Sequence, residues 1–205
     1  METSGDNLFP VFDQLLPREA KEQRLQQRGK VFWMTGLSGS GKTTIAKGLE
    51  KELFSRGHVV QVLDGDNVRT GINNNLGFSA EDRAENIRRI AEVSKLFVHC
   101  GIITINCFVS PTVAMRTTAR EIIGPEDFLE VFVNTPLEVC EQRDPKGLYQ
   151  KARAGEIANF TGIDAPFEPP PHPALDLQTA GQDIASSVDQ LLAFVLPNIK
   201  YTNNI

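Results

Sequence analysis

Eight consecutive residues, Gly36-Leu37-Ser38-Gly39-Ser40-Gly41-Lys42-Thr43, fit the pattern G-x-x-x-x-G-K-[ST] in full. Glycines at these positions let the backbone curl until successive N–H groups point inward, which suits phosphate oxygens. The helix that follows would add the positive end of its dipole. Gly36, Ser38, Gly39, Ser40, Gly41 and Thr44 are therefore candidates for cradling a triphosphate. Lys42 would set its ammonium against the β- and γ-phosphates, and the Thr43 hydroxyl would ligate Mg²⁺. The expected ligand is a nucleoside triphosphate.

A second cluster, Leu63-Asp64-Gly65-Asp66-Asn67-Val68-Arg69, follows the next apolar run. Two carboxylates so close to a triphosphate need Mg²⁺ or a substrate proton to offset them. Asp64 could accept a hydroxyl proton or hold the metal's water shell; its structural alternative is a helix cap. Asp66 reads equally as cap or substrate contact. Arg69 offers a forked donor for an oxyanion, or a surface ion pair. Arg83 and Asn86, three apart on a helix, share a face that could hold a sulfate or phosphate beside a polar group. Phe78, just before them, could stack on a base or pack in the core. Arg88 and Arg89 read as solvated or paired.

The elements that must position these groups are legible from periodicity. Val31–Thr35 is a short apolar run closing on Gly36, as expected of a buried strand. Further strands are expected at 59–63, 102–109, 128–133 and 175–177. Helices are expected at 45–55, from Ser79-Ala80-Glu81-Asp82 to Cys100, at 112–123, and at 184–196. Thr135-Pro136-Leu137-Glu138 opens another, with Thr135 as cap and Pro136 at the first helical position. Strands alternating with helices indicate an α/β fold. It is a doubly wound parallel sheet with helices on both faces, the phosphate-loop kinase fold, with ligands at the carboxyl ends of the strands. Residues 144–173 carry Gly and Pro without clear periodicity and are expected to form a lid. Residues 1–28 read as an N-terminal extension of a 29–205 domain. The charged run Arg18–Arg28 is expected to be a short exposed helix, either a solvated arm or a dimer contact.

The 205 residues carry 21 Lys and Arg against 26 Asp and Glu, a net charge of −5. That excess of acid argues against broad binding to nucleic acid but leaves room for a local basic pocket. The N-terminus does not read as a signal peptide, and no apolar stretch approaches the ~20 residues of a membrane span. Cys100, Cys107 and Cys140 lack metal-type pairing; a reducing, cytoplasmic setting is expected, with Cys140 a small buried hydrophobe. No N-K-x-D motif for guanine and no apolar strand ending in Asp-Glu is present, which points from GTPases and motor ATPases to a small-molecule kinase.

Gly36–Thr44, Leu63–Arg69 and Asn75-Leu76-Gly77-Phe78-Ser79 through Asn86-Ile87-Arg88-Arg89 together resemble the adenylyl-sulfate kinase family. Phe108-Val109-Ser110-Pro111, Cys140-Glu141-Gln142-Arg143-Asp144, Lys146-Gly147-Leu148-Tyr149 and Phe160-Thr161-Gly162-Ile163-Asp164 agree. The resemblance runs from about residue 30 to residue 196. It implies transfer of the ATP γ-phosphoryl group to the 3′-hydroxyl of adenosine 5′-phosphosulfate with Mg²⁺. It also implies a homodimer; the family includes fusions to ATP sulfurylase, but here that enzyme is expected on a separate chain, with no such domain in these residues. Carried over, Asp66, Asn67, Arg69, Phe78, Arg83, Asn86, Val109 and Ser110 would bind the acceptor. Lys146, Asn159 and Phe160 would belong to the lid, and Arg143 would serve ATP. Asn159 stands where the family pattern has Gly. Ser110 is assigned a phosphoserine in some descriptions of the family; direct in-line transfer, with Asp64 as base, needs only the parts already present. A kinase for another small acceptor and a non-catalytic nucleotide sensor are the competing readings.

Overall fold

A computed structural model describes residues 7–202. Five parallel strands form one sheet in the order β2-β3-β1-β4-β5. They are β1 (Val31–Thr35), β2 (Val60–Asp64), β3 (Ile103–Cys107), β4 (Phe128–Asn134) and β5 (Leu175–Gln178). β1 lies at the centre, and its alternating side chains feed two separate cores. Phe32 and Met34 pack with α2 (Lys42–Ser55) and α8 (Ile184–Ile199). Val31 and Trp33 pack with α4 (Ala80–His99) and α5 (Val113–Ile123). The doubly wound α/β architecture is thus as expected, and the phosphate loop emerges from the middle of the sheet.

Element bounds follow the periodicity with differences that have local causes. α2 starts three residues early because Gly41, at φ 105°, caps it directly. α4 is capped as expected, the Ser79 hydroxyl accepting the Asp82 amide at 3.1 Å. α6 (Leu137–Arg143) is capped by Pro136 and not by Thr135, whose hydroxyl turns instead to the Ser40 carbonyl at 3.1 Å. A short helix α3 (Gly65–Arg69) follows β2, and α7 (Leu148–Arg153) lies within the stretch expected to be irregular. α8 continues past Leu196 to Ile199, whose side chain is buried and whose carbonyl accepts the Arg28 amide at 2.8 Å.

Residues 7–17 are exposed, but the solvated-arm reading fails for 18–28. The expected helix is there, as α1 (Arg18–Leu25), but it is docked. Arg18 bonds Glu22 at 2.8 Å and Asp127 at 2.9 Å, and Lys30 reaches the same Asp127 at 2.9 Å. Gln27, fully buried, donates to the carbonyls of Val59 and Gly101. Two charges of the run, Arg18 and Glu22, are spent on a part-buried network, which the sequence pattern alone does not distinguish from a solvated face.

Burial pushes the Asp127 carboxyl up, but hydrogen bonds from Arg18 and Lys30 outweigh it and hold it below the usual carboxylate range. Its contribution to stability is therefore present above the unfolded value of about 3.9 and lost as pH falls through the native one. Asp127→Ala should cost about 2–3 kcal/mol, somewhat less than a fully buried pair, by leaving Lys30 without its carboxylate and Arg18 with Glu22 alone. Urea denaturation measures the loss. Faster tryptic cleavage at Arg24 and Arg28 would show that α1 has come free; unchanged cleavage would place its anchor elsewhere.

Candidate active site

The phosphate loop takes its shape from positions where a side chain would collide. A Cβ on Gly36 (φ 152°) would lie 2.6 Å from the Val133 carbonyl oxygen, and one on Gly39 (φ 75°) 2.9 Å from that of Cys140. Lys42 is buried and folds back on the loop, donating to the Gly36 and Leu37 carbonyls at 2.8 and 2.7 Å. Loss of hydration pushes its ammonium down to about 8, against the weaker pull of Asp64. A triphosphate would supply the counter-charge this buried cation lacks.

Three groups outside the motif brace the loop. Thr135 and Thr179 donate to the Ser40 carbonyl at 3.1 and 3.2 Å, and the buried Tyr149 donates to that of Ser38 at 2.9 Å. None of the three is predicted from spacing. Thr179 follows β5 at the carboxyl edge, a position that could have flagged it. Arg143 leans over the same loop, bonding the Thr179 carbonyl at 3.1 Å and approaching those of Gly39 and Ser40 at 3.4 Å.

At the end of β2 the Asp64 carboxylate is a helix cap, and its second oxygen faces the phosphate loop. Oδ1 accepts the Asp66 amide at 3.0 Å, capping α3, while Oδ2 accepts the Thr43 hydroxyl at 2.7 Å. One carboxylate and one hydroxyl facing each other beside the phosphate loop form the hard-oxygen pair that Mg²⁺ takes, its other ligands being phosphates and water. The donor set fits the ion.

A cavity of about 1270 Å³ runs from this loop across the carboxyl edge of the sheet. All of the candidate residues border it except Gly36 and Asn159. Six cations (Lys42, Lys47, Arg69, Arg83, Arg143, Lys146) and four carboxylates (Asp64, Asp66, Glu156, Asp183) line it, so an acidic protein carries a locally basic cleft. Arg69 stacks 4.4 Å over the ring of Phe78, which is 65 % exposed and so available to a base rather than spent in the core. Arg88 and Arg89 are paired, both with Glu85.

Arg83 reaches the 144–173 stretch, donating to the Asn159 carbonyl at 2.7 Å and the Thr161 hydroxyl at 2.9 Å. Lys146 pairs with Asp66 across the cleft. Asn159 adopts φ 57°, a left-handed conformation that glycine takes freely and Asn tolerates better than most residues. Asn159 thus takes the backbone shape open to the expected Gly, and it meets Arg83 through its carbonyl. Phe160 sits edge-on to Tyr149 with ring centroids 5.0 Å apart. Asn86, buried, accepts from the Asn73 side chain at 2.9 Å. Ser110 is buried at φ 37°, its hydroxyl accepting from Trp33 Nε1 at 3.1 Å and bonding Thr35 at 3.0 Å. Cys140 is buried, as expected, and loss of hydration pushes its thiol up.

Residues 28–178 match the adenylylsulphate kinase family. The chain belongs to that family. It is 62 % identical over 195 residues to the adenylyl-sulfate kinase of Bacteroides fragilis, covering 95 % of this chain and 96 % of that one. Identity to the adenylyl-sulfate kinase of Clostridium acetobutylicum is 51 % over 180 residues, 88 % and 90 % of the two chains. Among solved structures, the Mycobacterium tuberculosis APS kinase in complex with AMPPNP and APS superposes with a TM-score of 0.79 at 47 % identity, over 82 % of this chain and 98 % of that one. A Sinorhizobium meliloti gluconokinase, at 18 % identity and TM-score 0.53 over 82 % and 92 % of the chains, shares the fold alone. As a member of this kinase family, the chain is an ATP-dependent phosphotransferase. Among the described residues no helix is long and apolar enough to cross a membrane.

Proposed function

We propose that this protein transfers the γ-phosphoryl group of ATP to the ribose 3′-hydroxyl of adenosine 5′-phosphosulfate, giving ADP and 3′-phosphoadenosine 5′-phosphosulfate. The observation that carries the reading is the single basic cleft. It joins a phosphate loop at one end to Phe78, Arg69 and Arg83 at the other, with Asp64 between them. ATP lies over the loop, its phosphates on the amides of Ser38–Thr44 and on Lys42, with Arg143 at its side. The acceptor's adenine stacks on Phe78, and its phosphosulfate faces Arg69, Arg83 and Asn86, next to Asp66, Asn67 and Val109.

Asp64 orients the 3′-hydroxyl and takes its proton as the oxygen attacks in line. Thr43 and Asp64 would hold Mg²⁺, directly or through its water. Held there, the ion would offset the charge that develops during transfer. Lys42 and Lys146 add to that offset from fixed positions, and the lid residues Asn159–Thr161, clamped by Arg83, keep water from the γ-phosphate. The working form is a homodimer in the cytoplasm, fed with acceptor by an ATP sulfurylase on another chain. The reducing setting is supported by the unpaired Cys100, Cys107 and Cys140. Sedimentation of the full chain tests the dimer.

Transfer is direct and does not pass through Ser110. The hydroxyl of that residue is engaged by Trp33 and Thr35 within the sheet edge, not free to attack. Ser110→Ala should keep kcat within about tenfold of wild type, below the scale of a lost chemical group. It should also lower stability by about 1–3 kcal/mol, because the buried Trp33 N–H loses its acceptor. A collapse of turnover, or phosphate retained on wild-type Ser110 after an acid quench, would reverse this assignment.

The decisive assay mixes protein, ATP, Mg²⁺ and adenosine 5′-phosphosulfate and separates the products chromatographically. ADP together with the 3′-phosphorylated product supports the proposal. ADP formed only with a different acceptor leaves the phosphate loop standing and removes the acceptor assignment. Tight ATP binding without transfer to any acceptor indicates a sensor.

A further inference from the structure

Arg116, on α5, belongs to neither nucleotide's contacts, yet it is only 3 % exposed and its guanidinium is engaged on all sides. One terminal nitrogen donates to the Ser110 carbonyl at 2.8 Å and the other to the Glu168 carbonyl at 2.7 Å, while Nε lies 2.6 Å from Glu130 Oε1. Glu168 closes the ring from the far side. Its amide donates to the Pro111 carbonyl at 2.8 Å, and its carboxylate accepts the Val113 amide at 2.7 Å. The turn Val109–Pro111 borders the cleft, and its middle residue is held at φ 37°. Glu168 is the point where the lid returns to the body of the protein.

Burial works against both charges: loss of hydration pulls Arg116 down and pushes Glu130 up. Apolar residues of similar volume often replace a buried ion pair without loss of stability, so the pair itself does not account for Arg116. A guanidinium supplies what such residues lack, two N–H donors at a fixed angle that aim two separate carbonyls. A non-glycine residue at positive φ persists only where its surroundings over-determine it. Here they do so through Arg116 below, Trp33 and Thr35 at the side, and Glu168 beyond.

We propose that Arg116 is a positioning residue for the phosphoryl acceptor, holding the Val109–Pro111 turn against the acceptor half of the cleft and tying the lid's return at Glu168 to that same turn. The inference rests on the cleft being a kinase site with a nucleotide acceptor. It predicts an effect confined to one substrate. In Arg116→Lys, which keeps the charge and loses the fork, KM for adenosine 5′-phosphosulfate should rise about 10–100-fold, the scale of a small misplacement, while KM for ATP stays within about twofold. Hydrogen exchange at the Val113 and Glu168 amides should accelerate at least about tenfold as their local bonds open.

The double variant Arg116→Met with Glu130→Met removes the pair without leaving a buried charge, so it should melt above the single Arg116→Met variant, with a remaining loss confined to the Ser110 and Glu168 carbonyls that no longer have a donor. It should nevertheless keep the acceptor defect. A double variant that regains the wild-type acceptor KM would overturn the proposal, since Arg116 would then serve stability alone. So would equal rises in both KM values, or unchanged exchange at Val113 and Glu168 in Arg116→Lys. If wild type fails to phosphorylate this acceptor, the assigned substrate falls, and the exchange measurement alone decides the fate of the turn.

Discussion

Asp64→Ala is expected to lower kcat for transfer to the 3′-hydroxyl by about 10²–10⁴-fold, the range of a positioned general base. The carboxylate stands at the end of β2, where one oxygen meets the Thr43 hydroxyl at 2.7 Å and the other caps α3 through the Asp66 amide at 3.0 Å. Ala removes the base and the cap together. Asp64→Asn separates them, because its carbonyl oxygen can still accept from Asp66 while its amide cannot take a proton. Both variants should therefore lose kcat alike. Only Ala should also raise the acceptor KM, by about fivefold, since losing a cap costs about 1 kcal/mol and α3 carries Asp66, Asn67 and Arg69. Steady-state kinetics with each substrate varied in turn reads both effects. An Asn variant within tenfold of wild type would mean that Asp64 is a cap and a spacer, and that the proton leaves by another route.

Lys42→Met should cost about 10²–10³-fold in kcat/KM, comparable to removing one preorganised donor from a transition-state oxyanion. The wild-type residue also carries a pH signature. Burial pushes its ammonium down to about 8 in the free protein. A bound triphosphate favours the charged form, so its value must rise in the complex. ATP affinity is then full below about pH 8 and weakens above it, and binding at about pH 9 takes up a proton. Calorimetry in buffers of differing ionisation enthalpy measures that uptake directly. Lys42→Met should abolish it. Uptake that persists in the variant would assign the titration to another group.

How far these sites could be read from the chain depended on the distance over which each was specified. The phosphate loop was fully legible because its chemistry is local: a strand, glycines at fixed spacing and a helix start force the backbone amides inward whatever surrounds them. Asp64 and the Ser79 cap were legible for the same reason. The parallel sheet was legible because strands buried on both faces must be apolar throughout, as Val31–Met34 are.

Groups whose partners are distant in sequence could not be placed. Thr135 looked like a cap on local rules, yet its hydroxyl serves Ser40, 95 residues away. Arg18 sat in a run that reads as solvated, and it bonds Asp127, 109 residues on. Arg116 showed nothing in its own helix to mark it, because Ser110, Glu130 and Glu168 come from three different segments. Short-range geometry is written in spacing, since sterics and hydrogen bonding act within a few residues. Which buried charge meets which carbonyl is settled only when the sheet order 2-3-1-4-5 brings those segments together.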